Sequence, residues 1–233
     1  IIGSSSEKSS VMYSPTGHIT YYDMINGSRK QRFNTEVQLE QTFLFNNNLF
    51  LAGIKNNTIY VVDALSGNTV TKIPATSPIL VKDSKDTNLY YIENSGRNNI
   101  LKSISVAHTE EGKILADKPK IIKTFSGISN NNNITYCTKI AEKTIIGSKK
   151  GNIYSIETIY DSSVTDAISL TDNMYEKVLD IATVKDEFYC LTPKTIFKTS
   201  YDTGIVDTVG TNSGFTEILS HEDSLILWTK NSK

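Results

Sequence analysis

The sequence predicts an all-β chain assembled from repeats of one four-stranded unit. Three observations predict it. One segment pattern returns about every 40 residues. Strands and turns follow the same order inside each return. No 11-residue window combines apolar residues at i, i+3, i+4 and i+7 with helix caps.

The pattern is a turn residue, then Ile, then alternating aromatic or apolar positions, often closed by an acid. It reads Gly17-His18-Ile19-Thr20-Tyr21-Tyr22-Asp23 and Asn57-Thr58-Ile59-Tyr60-Val61-Val62-Asp63. It returns around Ile100, around Ile153 with Glu157 as the closing acid, and around Ile196. The isoleucines are spaced by 40, 41, 53 and 43 residues. The long step coincides with a polar insert from Ala107 to Lys118 that shows no strand pattern before Ile114. Without it the period is about 40, the length of one propeller blade.

The second copy shows the order within a blade. Gln41–Phe45, Leu49–Ile54, Thr58–Ala64 and Thr69–Ile73 read as strands. Asn46-Asn47-Asn48, Lys55-Asn56-Asn57 and Ser66-Gly67-Asn68 read as the turns between them. Asn and Gly tolerate the left-handed backbone of tight turns, and Ile, Val, Thr, Tyr and Phe suit a pleated, half-buried surface. The fifth copy repeats the order with Val178–Val184, Glu187–Thr192, Thr195–Ser200 and Ile205–Val209. Leu49-Phe50-Leu51 and Phe188-Tyr189-Cys190-Leu191 read as strands packed between blades.

One four-stranded blade cannot bury both faces, and radial stacking of blades buries them. The expected architecture is a single β-propeller domain over residues 1–233, of six or seven blades, with seven favoured. In the first copy three strands are legible, at Ser10–Tyr13, Ile19–Asp23 and Arg32-Phe33. The last copy shows two, Thr216–Leu219 and Ser224–Trp228, and Ile1-Ile2-Gly3 is expected to complete a shared blade with them. The start at Ile1 reads as that of a fragment or a processed chain, without a signal-peptide pattern.

Composition narrows the function classes. Twenty-four basic and 25 acidic residues give a net charge of -1, without the basic surplus of a typical nucleic-acid binder. No apolar run approaches the ~20 residues of a membrane-spanning helix. Cys137 and Cys190 stand in apolar segments and read as buried free thiols of a reducing compartment, with a disulfide as the alternative. The expected location is therefore intracellular, cytoplasmic or nuclear. The sequons at Asn26, Asn56 and Asn133 are expected by chance in a chain this rich in Asn, Ser and Thr.

No catalytic constellation is legible. His18, His108 and His221 fall in three separate contexts and read as surface or turn residues, so no metal is expected. Gly147-Ser148-Lys149-Lys150-Gly151 lacks the Lys-Ser/Thr ending of a phosphate-binding loop and reads as a hairpin turn. Asp23, Asp63 and Glu157 close third strands and are expected to be structural. No cofactor is expected.

The pattern resembles the WD40-like repeat family over roughly residues 11–228. Tyr22-Asp23 and Val62-Asp63 stand where that family places Trp-Asp, with Ser200-Tyr201-Asp202 shifted and Ile156-Glu157 weaker. The family's Gly-His dipeptide near the first strand is missing, since Gly17-His18 precedes a third strand. The resemblance implies a non-enzymatic protein–protein scaffold. It implies a subunit of a eukaryotic coat or tether, nuclear pore, ribosome-biogenesis or kinetochore assembly, whose partners are other protein subunits.

Two groups are candidate contact residues. Glu110, Glu111 and Lys113 lie in the insert, and Arg29, Lys30 and Arg32 lie on or beside a fourth strand. The basic group reads as a solvated edge that discourages edge pairing. Alternatively it meets nucleic acid or a lipid head group. A propeller enzyme or small-ligand sensor is the remaining alternative.

Overall fold

A computed structural model describes residues 2–5, 9–14, 16–23, 25–47, 49–82, 87–95, 98–125, 133–140, 143–156, 168–169, 176–185, 187–200, 206–221 and 223–229. Every regular element among them is a β-strand. The chain forms two compact units, residues 1–93 with 102–121 and residues 94–101 with 122–233.

In the first unit, β1 (Ile2–Ser5), β2 (Ser9–Tyr13), β3 (His18–Asp23) and β4 (Arg29–Asn34) make an antiparallel sheet in chain order. β5 (Glu40–Phe45), β6 (Phe50–Lys55), β7 (Thr58–Asp63) and β8 (Thr69–Pro74) repeat the arrangement. The expected sharing of the amino-terminal residues with the last blade is corrected here. Ile2 pairs with Tyr13 and Ser5 with Ser10, so β1 is the first strand of the first sheet. Its short Ile-Gly-Ser-Ser sequence carries too little alternation to show this on its own.

The third sheet orders β9 (Pro78–Leu80), β10 (Asn88–Ser95), β11 (Asn98–His108) and β12 (Ile114–Ala116), with β13 (Lys120–Phe125) also paired to β11. The insert expected to lack strand structure before Ile114 is a β-hairpin. β11 runs on to His108, and Val106, Ala107 and His108 pair with Ala116, Leu115 and Ile114. The long step in the period is thus a lengthened turn between third and fourth strands.

The second unit holds β14 (Ile134–Ile140), β15 (Lys143–Ser148), β16 (Ile153–Ile156) and β17 (Ile168–Ser169) in one sheet. β18 (Asp180–Val184), β19 (Glu187–Leu191), β20 (Thr195–Ser200) and β21 (Asp207–Thr211) form the next. β22 (Glu217–His221) and β23 (Ser224–Trp228) form a two-stranded sheet. The Asn-rich run around 130–132 lies outside the described residues.

The core is packed between successive sheets. Phe43, Phe45, Phe50 and Ala52 of the second sheet meet Leu80, Leu89, Tyr91, Ile104 and Val106 of the third. The opposite face of the second sheet, with Leu44, Leu51 and Val62, meets Tyr13 and Ile19 of the first. In the second unit Tyr136, Ile145 and Ile153 meet Ile181, Phe188 and Cys190, and Ala182, Leu191 and Ile196 meet Ile218. Phe50 and Phe188 are fully buried, in keeping with the strands expected between blades. Alternation therefore serves two cores at once, one for each face of the strand.

The turns follow the residues expected of them. Asn46 and Asn47 of one turn and Asn56 and Asn57 of the next have positive φ. At Gly147 close approach is the requirement: a Cβ there would lie 2.6 Å from Val178 Cβ of the following segment. The Val178 N–H also donates to the Ser148 carbonyl at 3.1 Å.

Candidate interaction surface

The lengthened hairpin is a built structure. At its tip the Thr109 N–H donates to the Lys113 carbonyl at 2.7 Å, and the Gly112 N–H to the Thr109 carbonyl at 2.9 Å. The Lys113 N–H donates to Thr109 Oγ1 at 3.1 Å. Gly112 takes φ +75° to close the turn. Glu110, Glu111 and Lys113 are all exposed. Lys113 Nζ lies 2.9 Å from Glu111 Oε2 with both side chains about three-quarters exposed, so the pair adds little stability.

The base of the hairpin is anchored on the second sheet. The His108 ring stacks on Phe50 at 5.1 Å between centroids and 20° between planes. Its Nε2 lies 3.8 Å from Asp63 Oδ1. Asn46 Nδ2 donates to the Val106 carbonyl at 3.2 Å. Ile114 packs against the core between the second and third sheets. His108 is thus a packing residue and not the surface residue expected from sequence. A His in a polar stretch gives no sign of the aromatic ring it will meet.

Asp63 caps the turn after β7, as its place in the repeat implied. Its Oδ1 accepts the Leu65 N–H at 3.0 Å, and its Oδ2 accepts the Ser66 hydroxyl. Asp23 likewise accepts the Ile25 N–H at 2.8 Å. Tyr21 links the first two sheets by donating to the Ala64 carbonyl at 2.8 Å. Burial, with the Asp63 charge second, pushes that phenol up to about 12, so it remains a donor at neutral pH. Glu157 lies outside the described residues.

The basic candidates occupy β4, the outer strand of the first sheet. Arg29 pairs with Tyr22 and Arg32 with Thr20, and both arginines are exposed. Lys30 is on the same strand. The acidic tip and the basic strand belong to different sheets, and no described contact joins them. His18 lies on β3 and bonds Asn34 through its ring Nδ1, and His221 lies on β22.

One structural centre escaped the sequence reading. The Asp180 carboxylate is buried at the start of β18. It accepts the Ile181 N–H at 3.0 Å and, across to β22, the Ile218 N–H at 3.0 Å. Burial first, and the Asp180 charge next, push the Tyr136 hydroxyl well above its ordinary value. Asp180 therefore ties three successive sheets together. The signal was an acid directly ahead of Ile-Ala-Thr-Val, and acids at strand starts are too common for it to stand out.

The cysteines are free and buried, and burial pushes both thiols up. A buried neutral thiol is a weak nucleophile. Among the described residues no three His, Cys, Asp or Glu side chains converge as a metal-ligand group. No helix among them is long and apolar enough to cross a membrane.

Meandering antiparallel sheets in sequence order, packed face to face within each unit, define a β-propeller protein. A family model described as an N-terminal beta-propeller domain matches residues 2–167, and the chain belongs to that family. A Treponema pallidum (strain Nichols) protein of uncharacterised function is 22% identical over 218 residues. That match covers 93% of this chain and 34% of the relative, so the chain spans about a third of the relative's length. Among solved structures, Kluyveromyces lactis Hsv2 aligns with a TM-score of 0.60 at 11% identity, over 94% of this chain and 73% of that one. The WD40 domain of fission-yeast SCAP aligns with a TM-score of 0.53 at 15% identity, over 93% and 57%. BamB from Moraxella catarrhalis gives 0.53 at 14%, over 97% and 68%. These likenesses bear on the fold alone, and they agree with the WD40-like resemblance of the repeats.

Proposed function

We propose that the chain is a non-enzymatic protein–protein interaction platform whose contact element is the β11–β12 hairpin. The observation that carries this reading is the hairpin itself. Its base is fixed by His108 on Phe50, while its tip presents Glu110, Glu111 and Lys113 to solvent. A propeller commits its strands to packing, so sequence free of the fold lies in the connections. A charged tip of this kind suits the polar rim of an interface.

Partners in this reading are other proteins. Eukaryotic coat, tether, pore, ribosome-biogenesis or kinetochore assemblies find no support in a relative that is bacterial. The free thiols support a compartment that keeps cysteines reduced, cytoplasmic or nuclear in a eukaryote. The non-enzymatic reading is supported by the groups with the strongest upward shifts, Tyr136, Cys137 and Cys190. Burial between sheets holds them neutral. The alternative of nucleic acid or anionic lipid at Arg29, Lys30 and Arg32 is weaker. Three cations on one strand fall short of the roughly 6–10 phosphate contacts of strong nucleic-acid binding.

The test replaces Glu110, Glu111 and Lys113 together with alanine and compares the proteins recovered by wild-type and variant baits. Selective loss of a partner with unchanged circular dichroism supports the hairpin. Unchanged recovery with the fold intact removes it from the interface.

A further inference from the structure

Besides its tip the hairpin exposes the outer edge of β12, and the register fixes which backbone groups that edge presents. The Asp117 N–H donates to the Ser105 carbonyl at 3.0 Å, and the Thr109 N–H to the Lys113 carbonyl at 2.7 Å. Between them Ala107 stands opposite Leu115. Bonded and non-bonded pairs alternate along an antiparallel ladder. The bonded pairs are therefore Ser105 with Asp117, Ala107 with Leu115 and Thr109 with Lys113. Ile114 and Ala116 fall at non-bonded positions, so their N–H and C=O groups point away from β11. Among the described residues β12 pairs with β11 alone, which leaves those groups without a strand partner.

This edge lacks the protection that other outer strands carry. β4 has Arg29, Lys30 and Arg32, β8 has Lys72, and β13 has Lys120 and Lys123. Charges along an edge discourage pairing with another chain. β12 reads Ile-Leu-Ala, and its Leu115 is 61% exposed. Its charges stand at the two ends instead. Lys113 precedes it and Asp117 follows it, then Lys118 and Lys120, and all of them are exposed.

We propose that β12 pairs edge to edge with β12 of a second copy of this chain, antiparallel about a two-fold axis through Leu115. Self-complementarity selects this occupant. The register centred on Leu115 engages every outward group, because Ile114 of each copy bonds Ala116 of the other. Leu115 then meets Leu115 of the second copy at a non-bonded position, where Cα atoms lie about 4.5 Å apart. The same register sets Lys113 of each copy opposite Asp117 of the other. It also turns each acidic tip, Glu110 and Glu111, toward Lys118 and Lys120 of the other copy. An unrelated strand could meet the backbone groups, but the chain's own edge supplies the opposite charge at both ends. Exposed ion pairs hold a register more than they add affinity, so the dimer is weak and forms as concentration rises. The proposal rests on the reading of the hairpin as the contact element and names the partner of its edge.

Sedimentation velocity over a concentration series tests it, with circular dichroism as the check on folding. The wild type should sediment as a reversible monomer–dimer. Ala116→Pro removes one outward N–H from each copy and no bond to β11, a place where an edge strand accepts proline. It should raise the dimer dissociation constant on the order of tenfold or more. Lys113→Glu and Asp117→Lys each set like charges opposite one another and should each abolish the dimer, and the double variant should restore it. Monomer mass at every concentration up to about 1 mM overturns the proposal. So does a dimer indifferent to Ala116→Pro, or one that the double variant fails to restore. The tip reading fails separately. A monomeric wild type beside a triple-alanine variant that loses a partner overturns the dimer and leaves the contact element standing. A dimer that obeys these variants beside unchanged partner recovery leaves the edge pairing standing and removes the tip.

Discussion

Replacing Asp180 with alanine tests how the sheets of the second unit are joined. The carboxylate is 6% exposed and accepts two backbone N–H groups, those of Ile181 and Ile218, each at 3.0 Å. Alanine leaves both donors without an acceptor in a place water does not reach. Each such orphan costs roughly 1–3 kcal/mol, so the expected loss is about 2–6 kcal/mol. Asn keeps one acceptor oxygen and turns an N–H toward the other donor, so Asp180→Asn should lose about half as much. The chain has one tryptophan, Trp228 on β23, a strand held through β22. Urea unfolding is followed by Trp228 fluorescence and by far-ultraviolet circular dichroism. In Asp180→Ala the fluorescence midpoint should fall first, because the bond to Ile218 holds β22 to β18. A loss below about 1 kcal/mol with coincident transitions would refute the reasoning. It would mean that the apolar contacts of Ile218 alone fix the two-stranded sheet.

Phe50→Ala should destabilise by about 3–5 kcal/mol, read as a shift in urea midpoint at constant slope, since it empties a fully buried site and removes the platform for His108. Shortening the hairpin by residues 109–113 should move the Tm little, because surface closure entropy changes slowly with length. Deletion of 108–117 should lower it markedly by taking out His108 and Ile114. Glu93 supplies the pH test. Burial raises its carboxyl, but hydrogen bonds from Lys102 and from the Thr76 N–H outweigh this and hold it below its ordinary 4.5. A depressed carboxyl stabilises the fold fully above its unfolded value and loses that contribution as pH falls through the folded one. Glu93→Gln should therefore flatten the loss of stability that sets in as pH falls through the ordinary carboxyl value of 4.5 and below, measured as Tm against pH. Gly147→Val should fail to fold or melt far lower, since Val178 occupies the space its side chain needs.

The blades were legible in the sequence because period and alternation are properties of the strands themselves. Ile19, Ile59 and Ile153 recur at the period and all lie in the core. The acids closing third strands were legible too, since an Asx turn is local: Asp63 bonds Leu65 and Ser66 within three residues. What stayed hidden was non-local. β1 has no hydrophobic pattern and is held by its pairing with β2. The extension of β11 depends on partners arriving from the second sheet, Asn46 for the Val106 carbonyl and Phe50 for the His108 ring. Asp180 serves an N–H 38 residues away. Glu110, Glu111 and Lys113 stand where the period breaks, and the structure places them at an exposed hairpin tip, whereas Arg29, Lys30 and Arg32 lie on a regular outer strand.

On the reading proposed above, function lies in departures from the repeat, because the repeat itself is spent on packing. Each third strand that ends on an acid and a tight turn returns the chain at once to the fourth strand, as at Asp23 and Asp63. In the third sheet that acid is absent: the strand continues past Ser105 into Val106, Ala107 and His108 before it turns. The turn it would have made is replaced by a hairpin that leans on its neighbour's acid, with His108 Nε2 3.8 Å from Asp63. Asp63 thus caps its own turn and faces the base of the adjacent hairpin. Such an element gains a solvent-facing tip without giving up core contacts, because its base adds packing on Phe50. That combination, a rigid base and a free polar tip, distinguishes this connection from the short turns of the first two sheets. It also explains why the tip should tolerate replacement of Glu110, Glu111 and Lys113 without loss of fold, which the partner-recovery test requires.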